Sequence, residues 1–128
     1  MAQTIHALAR EYNDAWESLD IPSIVSFHGE CFEYYWFNTR VAEDFEEVLR
    51  DVWLAEITEY AIEMVNPSVE MLGPDAAVIS FLFEDREVYR SGNVGTSEGA
   101  MIYVFERRDG SWKNVRIHHS GPVPDAYQ

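Results

Sequence analysis

The sequence predicts an α+β domain in which a strongly curved antiparallel sheet wraps around a long N-terminal helix. Three observations predict it. Helical periodicity is confined to the chain before Leu54, and everything from Ile57 onward reads as long strands separated by turn residues. Helices first and a meander afterwards is an α+β order. The run from Glu106 to Ser120 then reads as a strand end, a charged Asp109-Gly110 hairpin turn and a last strand that delivers His118 and His119.

Taken in order, Ile5, Leu8, Tyr12, Ala15, Trp16 and Leu19 follow three- and four-residue spacing, with Arg10, Glu11, Asp14 and Glu17 off the stripe. Asp20 before Ile21-Pro22 marks a stop and restart, since Asp caps helices and Pro suits a first turn. A short helix from Ile21 to Phe27 should end before Gly29. The aromatic stretch Cys31 to Phe37 reads as a buried strand. Phe45, Val48, Leu49 and Val52 give a further helical stripe within Val41 to Leu54. Ile57 to Leu72 is a strand interrupted near Asn66-Pro67, where proline implies a bulge or an edge. Ala76 to Tyr89, Ser97 to Arg107 and Ser111 to Ser120 are the remaining strands, and Gly121-Pro122-Val123-Pro124 stops the last one.

Residues 1–128 fit one domain with a single core. At 47 % hydrophobic and 14 % aromatic the chain is too rich in core residues to be disordered. The net charge of −14 sets 23 acids against eight arginines and one lysine, Lys113. Such a field repels phosphate backbones and anionic lipid, so neither nucleic acid nor membrane is expected as a partner. The acids at Glu43 to Glu47 read as a solvated helix face. A lone cysteine, Cys31, and no apolar leader favour the cytoplasm, with Cys31 expected to be a buried thiol.

Three stretches carry a family likeness: Gly73-Pro74-Asp75-Ala76-Ala77, Arg107 through Val115, and His118-His119-Ser120-Gly121. With the order of elements, they resemble the nuclear transport factor 2-like superfamily, which includes ketosteroid isomerase and the polyketide-cyclase-like (SnoaL-like, cystatin-like fold) proteins. Within it the chain is most similar to the association (hub) domain of calcium/calmodulin-dependent protein kinase II. That resemblance implies a domain that oligomerises through its sheet and holds a pocket lined by arginines. Phe83, Tyr103 and His119 stand here where the pocket arginines would be, and none can clamp a carboxylate by bidentate bonds. No kinase motif is present: Gly92-Asn93-Val94-Gly95 reads as a hairpin loop.

Strand phase sets the candidate site. If His119 and Tyr103 face inward, so do Met101, Phe105, Val115 and Ile117, and Ile79, Phe81 and Phe83 on the neighbouring strand. Tyr12 and Trp16 would close the cavity from the helix. The expected ligand-binding set is thus Tyr12, Trp16, Phe81, Phe83, Met101, Tyr103 and His119, around a small, largely apolar or aromatic molecule. The competing interpretation is that these side chains are simply core. A catalytic alternative takes His119 as acid–base with Tyr12, Tyr103 or Glu33 in a cofactor-independent isomerase, cyclase or dehydratase. Tyr12 precedes Asp20 at the spacing that ketosteroid isomerase uses for its oxyanion tyrosine, but Trp36 stands where that enzyme has its base, leaving Glu33 to orient His119 or to act itself. A third alternative is a purely structural assembly module. No cofactor is implied, and no metal site, because consecutive strand histidines diverge and His6 and His28 fall on helices elsewhere. The opposite phase, with Ile102, Val104, Asn114, Arg116 and His118, is apolar enough for a two-fold interface. A homodimer formed sheet to sheet is expected there, with larger rings open, and with Arg116 paired in it to an acid such as Glu84 or Glu106.

Overall fold

The computed structural model describes residues 1–36, 39–41 and 44–121. The first helix, α1 (Ala2–Ser18), buries Ile5, Ala9, Tyr12, Asn13 and Ala15, close to the predicted stripe. It stops where Leu19 turns left-handed at φ 59°, with its N–H bonded to the Trp16 carbonyl. Helix α2 (Ile21–Val25) follows, with Pro22 in its first turn. Asp20 occupies the cap position, but its carboxylate accepts the Ser23 hydroxyl instead of a backbone N–H.

The sheet has strands β1 (His28–Trp36), β2 (Thr39–Arg40), β3 (Ile57–Met71), β4 (Ala76–Tyr89), β5 (Val94–Arg108) and β6 (Ser111–Ser120). Their spatial order is β2-β1-β6-β5-β4-β3. The meander β3 to β6 is antiparallel, as expected, whereas β1 joins β6 in parallel and makes the curved sheet mixed. Strand β5 starts at Val94, earlier than its sequence suggests, and β1 starts at His28, which therefore belongs to a strand and not to a helix. Between β2 and β3, helix α3 (Phe45–Val48) is capped by Asp44, whose carboxylate accepts the Glu47 N–H at 3.1 Å. It runs on as a π-helical turn, Leu49–Trp53, closed by the Leu54 N–H on the Leu49 carbonyl at 2.9 Å. Phe37, Ala42, Glu43 and the predicted stop at Pro122-Val123-Pro124 lie outside the described residues.

The predicted bulge near Asn66-Pro67 is present as a register shift between Val65 and Ser68. The Asp109-Gly110 turn has positive φ at both residues, 53° and 80°, which suits a tight hairpin. A second bulge is not visible in the sequence. Val104 pairs with Arg116 but Phe105 pairs with Asn114, so Val115 is the extra residue. The phase of β6 inverts there: Asn114 is fully buried and Val115 is left partly exposed. Asn114 is consequently a core residue and not an interface residue.

The core lies between α1 and the inner face, built from Ile5, Tyr12, Ile79, Phe83, Phe105 and Ile117 among others. Tyr12 is the largest side chain fully enclosed, and its phenol donates to Nε2 of His28 at 2.7 Å. Burial drives both groups toward neutrality, the phenol well above its usual pKa and the imidazole down to about 3. The neutral imidazole accepts, and the ring stacks on Phe32 at 3.7 Å.

Candidate functional site

Between α1, β1 and the inner face of strands β3 to β6 lies a cavity of about 670 Å³. Strands β3 to β6 supply Tyr60, Asp85, Met101, Tyr103, Ile117 and His119; α1 supplies Asn13 and Trp16, and β1 supplies Tyr34 and Trp36. The π-helical turn and the residues after it close one wall with Val52, Trp53 and Leu54. Three of the four tryptophans thus line this one space. Trp16, Tyr34, Trp53 and Tyr60 form a continuous aromatic wall, with ring centroids 5.1 Å apart for Tyr34–Trp53, 6.4 Å for Trp16–Trp53 and 6.2 Å for Trp16–Tyr60.

His119 reaches the cavity with Nδ1 3.1 Å from the Tyr34 hydroxyl and its ring edge-on to Phe83 at 5.0 Å. Burial lowers its pKa below the ordinary histidine value, and the Asp85 carboxylate opposes that in part. The imidazole is therefore neutral at pH 7. Tyr103 donates to Oδ1 of Asn13 at 2.7 Å, so its hydroxyl is already committed within the wall. Asp85 accepts from the Tyr60 hydroxyl at 2.9 Å and from the Ser97 hydroxyl. Burial, with Asp85 beside it, keeps the Tyr60 phenol protonated as the donor. Glu87 follows on the same face, and burial followed by repulsion from Asp85 raises its pKa.

Of the residues expected from sequence, Trp16, Met101, Tyr103 and His119 line the cavity. Tyr12 does not; it lies in the core, bonded to His28. Phe81 and Phe83 pack behind the wall, against Tyr103 at 5.1 Å and His119 at 5.0 Å. Glu33 is on the opposite face, where it accepts from Tyr35 and Arg116, both at 2.8 Å, and pairs with Arg40 at 3.5 Å. The structure therefore brings neither Glu33 nor Tyr12 to His119. Within the chain Arg116 pairs with Glu33, because β1 lies beside β6 in parallel register with Glu33 opposite Arg116. Cys31 is exposed, not buried.

Sequence reasoning missed Tyr34, Tyr60, Asp85 and Glu87. Asp85 and Glu87 were accessible to it, since they continue the inward phase of Ala77, Ile79, Phe81 and Phe83 along one uninterrupted strand. On the outer face, Leu82 and Ile102 are 53 % and 39 % exposed, a large exposure for side chains of their size. His118 stacks on Tyr35 at 4.8 Å there, so the two histidines do diverge. No described helix is long and apolar enough to cross a membrane.

The curved sheet packed on α1, with its cavity, has the nuclear transport factor 2-like fold. A nuclear transport factor 2-like superfamily protein from Salmonella enterica superposes with a TM-score of 0.80, at 15 % identity, over 97 % of this chain and 92 % of that one. The model of the calcium/calmodulin dependent protein kinase II association domain matches residues 2–123, and the chain belongs to that family. A crystal structure of a candidate association domain of this kind from Xanthomonas campestris gives a TM-score of 0.83 at 19 % identity, covering 97 % and 90 % of the two chains. At such identities these superpositions show the fold alone. The delta subunit of calcium/calmodulin-dependent protein kinase type II from Oryctolagus cuniculus is 38 % identical over 58 residues. That match covers 45 % of this chain and 11 % of the kinase subunit, so the likeness concerns a small part of that protein.

Proposed function

We propose that this chain is a self-associating association-domain protein whose cavity binds a small, largely apolar or aromatic molecule. The observation that carries the binding half is the 670 Å³ space with aromatic walls and only a few polar groups, a composition suited to ligand sites. Membership of an association-domain family supports the self-association half, as do Leu82 and Ile102 exposed on one sheet face. We place the dimer contact on that face, with Ile102, Val104, Arg116 and His118, and the protein in the cytoplasm, given its single unpaired Cys31.

A second interpretation rests on the contact between His119 and Tyr34. A neutral imidazole tied to a buried phenol at 3.1 Å can relay a proton, and Asp85 and Tyr60 line the same space. It would make the protein a cofactor-independent isomerase, cyclase or dehydratase working through His119. His119→Ala separates the two. Ligand binding, followed through the three cavity tryptophans, should weaken only a few-fold, about 1 kcal/mol. Turnover, if the site is catalytic, should fall by about 10²-fold or more. A purely structural module predicts no fluorescence response to any small molecule in either protein.

A further inference from the structure

We infer that the cavity is selective for an organic cation, a protonated amine carried on an apolar or aromatic body. This rests on the ligand-binding reading above and adds the charge of the ligand to it. The first observation is the charge of the wall. Asp85 and Glu87 sit two residues apart on one face of β4, and both line the space. None of the nine Lys and Arg residues lines it, and none of the residues outside the described set is basic. Seven of the eight arginines pair with acids that do not line the cavity. Arg86, Arg90, Arg107 and Arg116, for example, pair with Glu59, Glu56, Asp75 and Glu33. The only other titratable group in the wall that could carry positive charge is His119, which burial keeps neutral.

The second observation is the aromatic wall. Trp16, Tyr34, Trp53 and Tyr60 surround the same volume, and Tyr89 joins them beside Glu87. Ring faces attract an ammonium group, most strongly where it is shielded from water. Asp85 still has acceptor capacity beyond its bonds from Tyr60 and Ser97, because a carboxylate has about four lone-pair sites. Burial and the neighbouring Asp85 penalise the charge on Glu87, a cost that a bound cation would offset and a bound carboxylate would increase. The apolar body of the ligand would lie against Met101 and Ile117.

Three probes of matched shape test this: 2-phenylethylammonium, 2-phenylethanol and 3-phenylpropionate, titrated calorimetrically into the intact protein at pH 7. The ammonium should bind at least about tenfold more tightly than the alcohol, and the carboxylate most weakly. Raising the salt concentration should weaken the ammonium alone. Glu87→Gln and Asp85→Asn should each remove most of that advantage, read as the ratio of ammonium to alcohol affinity in the same variant. The Gln variant alone suffices should the Asp85 change unfold the strand. If alcohol and ammonium bind equally, or the carboxylate binds best, the charge inference is overturned while the ligand-binding reading stands. If no probe binds, both fail.

Discussion

One fully buried and one half-buried polar side chain, Asn114 and His28, show how individual residues set the stability of this protein. Asn114 is fully enclosed, and neither its amide nitrogen nor its carbonyl oxygen bonds to a described protein group. An unsatisfied buried amide costs about 1–3 kcal/mol, and an apolar residue of the same shape avoids that cost. Asn114→Leu should therefore raise the free energy of unfolding by about 1 kcal/mol or more in urea denaturation. His28 has the opposite character, since its Nε2 is satisfied by Tyr12 as long as the ring is neutral. Its folded pKa, about 3, lies below the ordinary value of 6.5. The unfolded chain thus binds the extra proton first, and the stability tied to this group is complete above about pH 6.5. It is lost as the pH falls toward 3, at a limiting slope of about 1.4 kcal/mol per pH unit. His28→Asn, which keeps an acceptor for the phenol, should flatten the acid limb of the stability profile. An unchanged slope would show that other groups dominate it.

At the scale of elements, the pairing of β5 with the end of β6 depends on close backbone approach at Gly99. A Cβ at Gly99 would stand 2.0 Å from the Ser120 carbonyl oxygen and 3.0 Å from the Gly121 Cα, both backbone atoms that cannot rotate away. Gly99→Ala should therefore part the end of β6 from β5 beside His119, lowering stability by about 1–3 kcal/mol. Thermal unfolding would read this as a loss of several degrees. The same strands show what was legible beforehand. β4 reads correctly over its whole length because its inward residues, Ala77 to Phe83, alternate without interruption. The expected site stopped at Phe83, although strand geometry turns Asp85 and Glu87 inward as well. β6 could not be read in this way. Its bulge at Val115 exchanges an apolar residue for Asn114 in the core, against the hydrophobic pattern that periodicity follows. The Tyr34–His119 contact also needed the parallel pairing of β1 with β6, a crossover between residues far apart in the chain that local spacing does not encode. Tyr12 was recognised as important by its spacing, yet its partner is His28, whose place in a strand was hidden by the helical context before it.

For the whole molecule, the two faces of one sheet carry the two halves of the proposed role. The inner face shapes the cavity, while the outer face exposes Leu82 and Ile102 beside the Arg116–Glu33 pair. A charge buried in an apolar contact is strongly unfavourable, so Ile102→Glu should dissociate the assembly, as followed by sedimentation velocity, and leave cavity binding intact. An unaltered sedimentation coefficient would move the contact to another surface. Wherever that contact lies, the central claim is that a self-associated subunit holds a small molecule in its cavity. Native mass spectrometry tests it most directly, on the protein as purified and again with excess 2-phenylethylammonium. The account predicts an oligomer whose mass exceeds that of the bare chains by one small molecule per subunit. Bare monomeric chains under both conditions would contradict it.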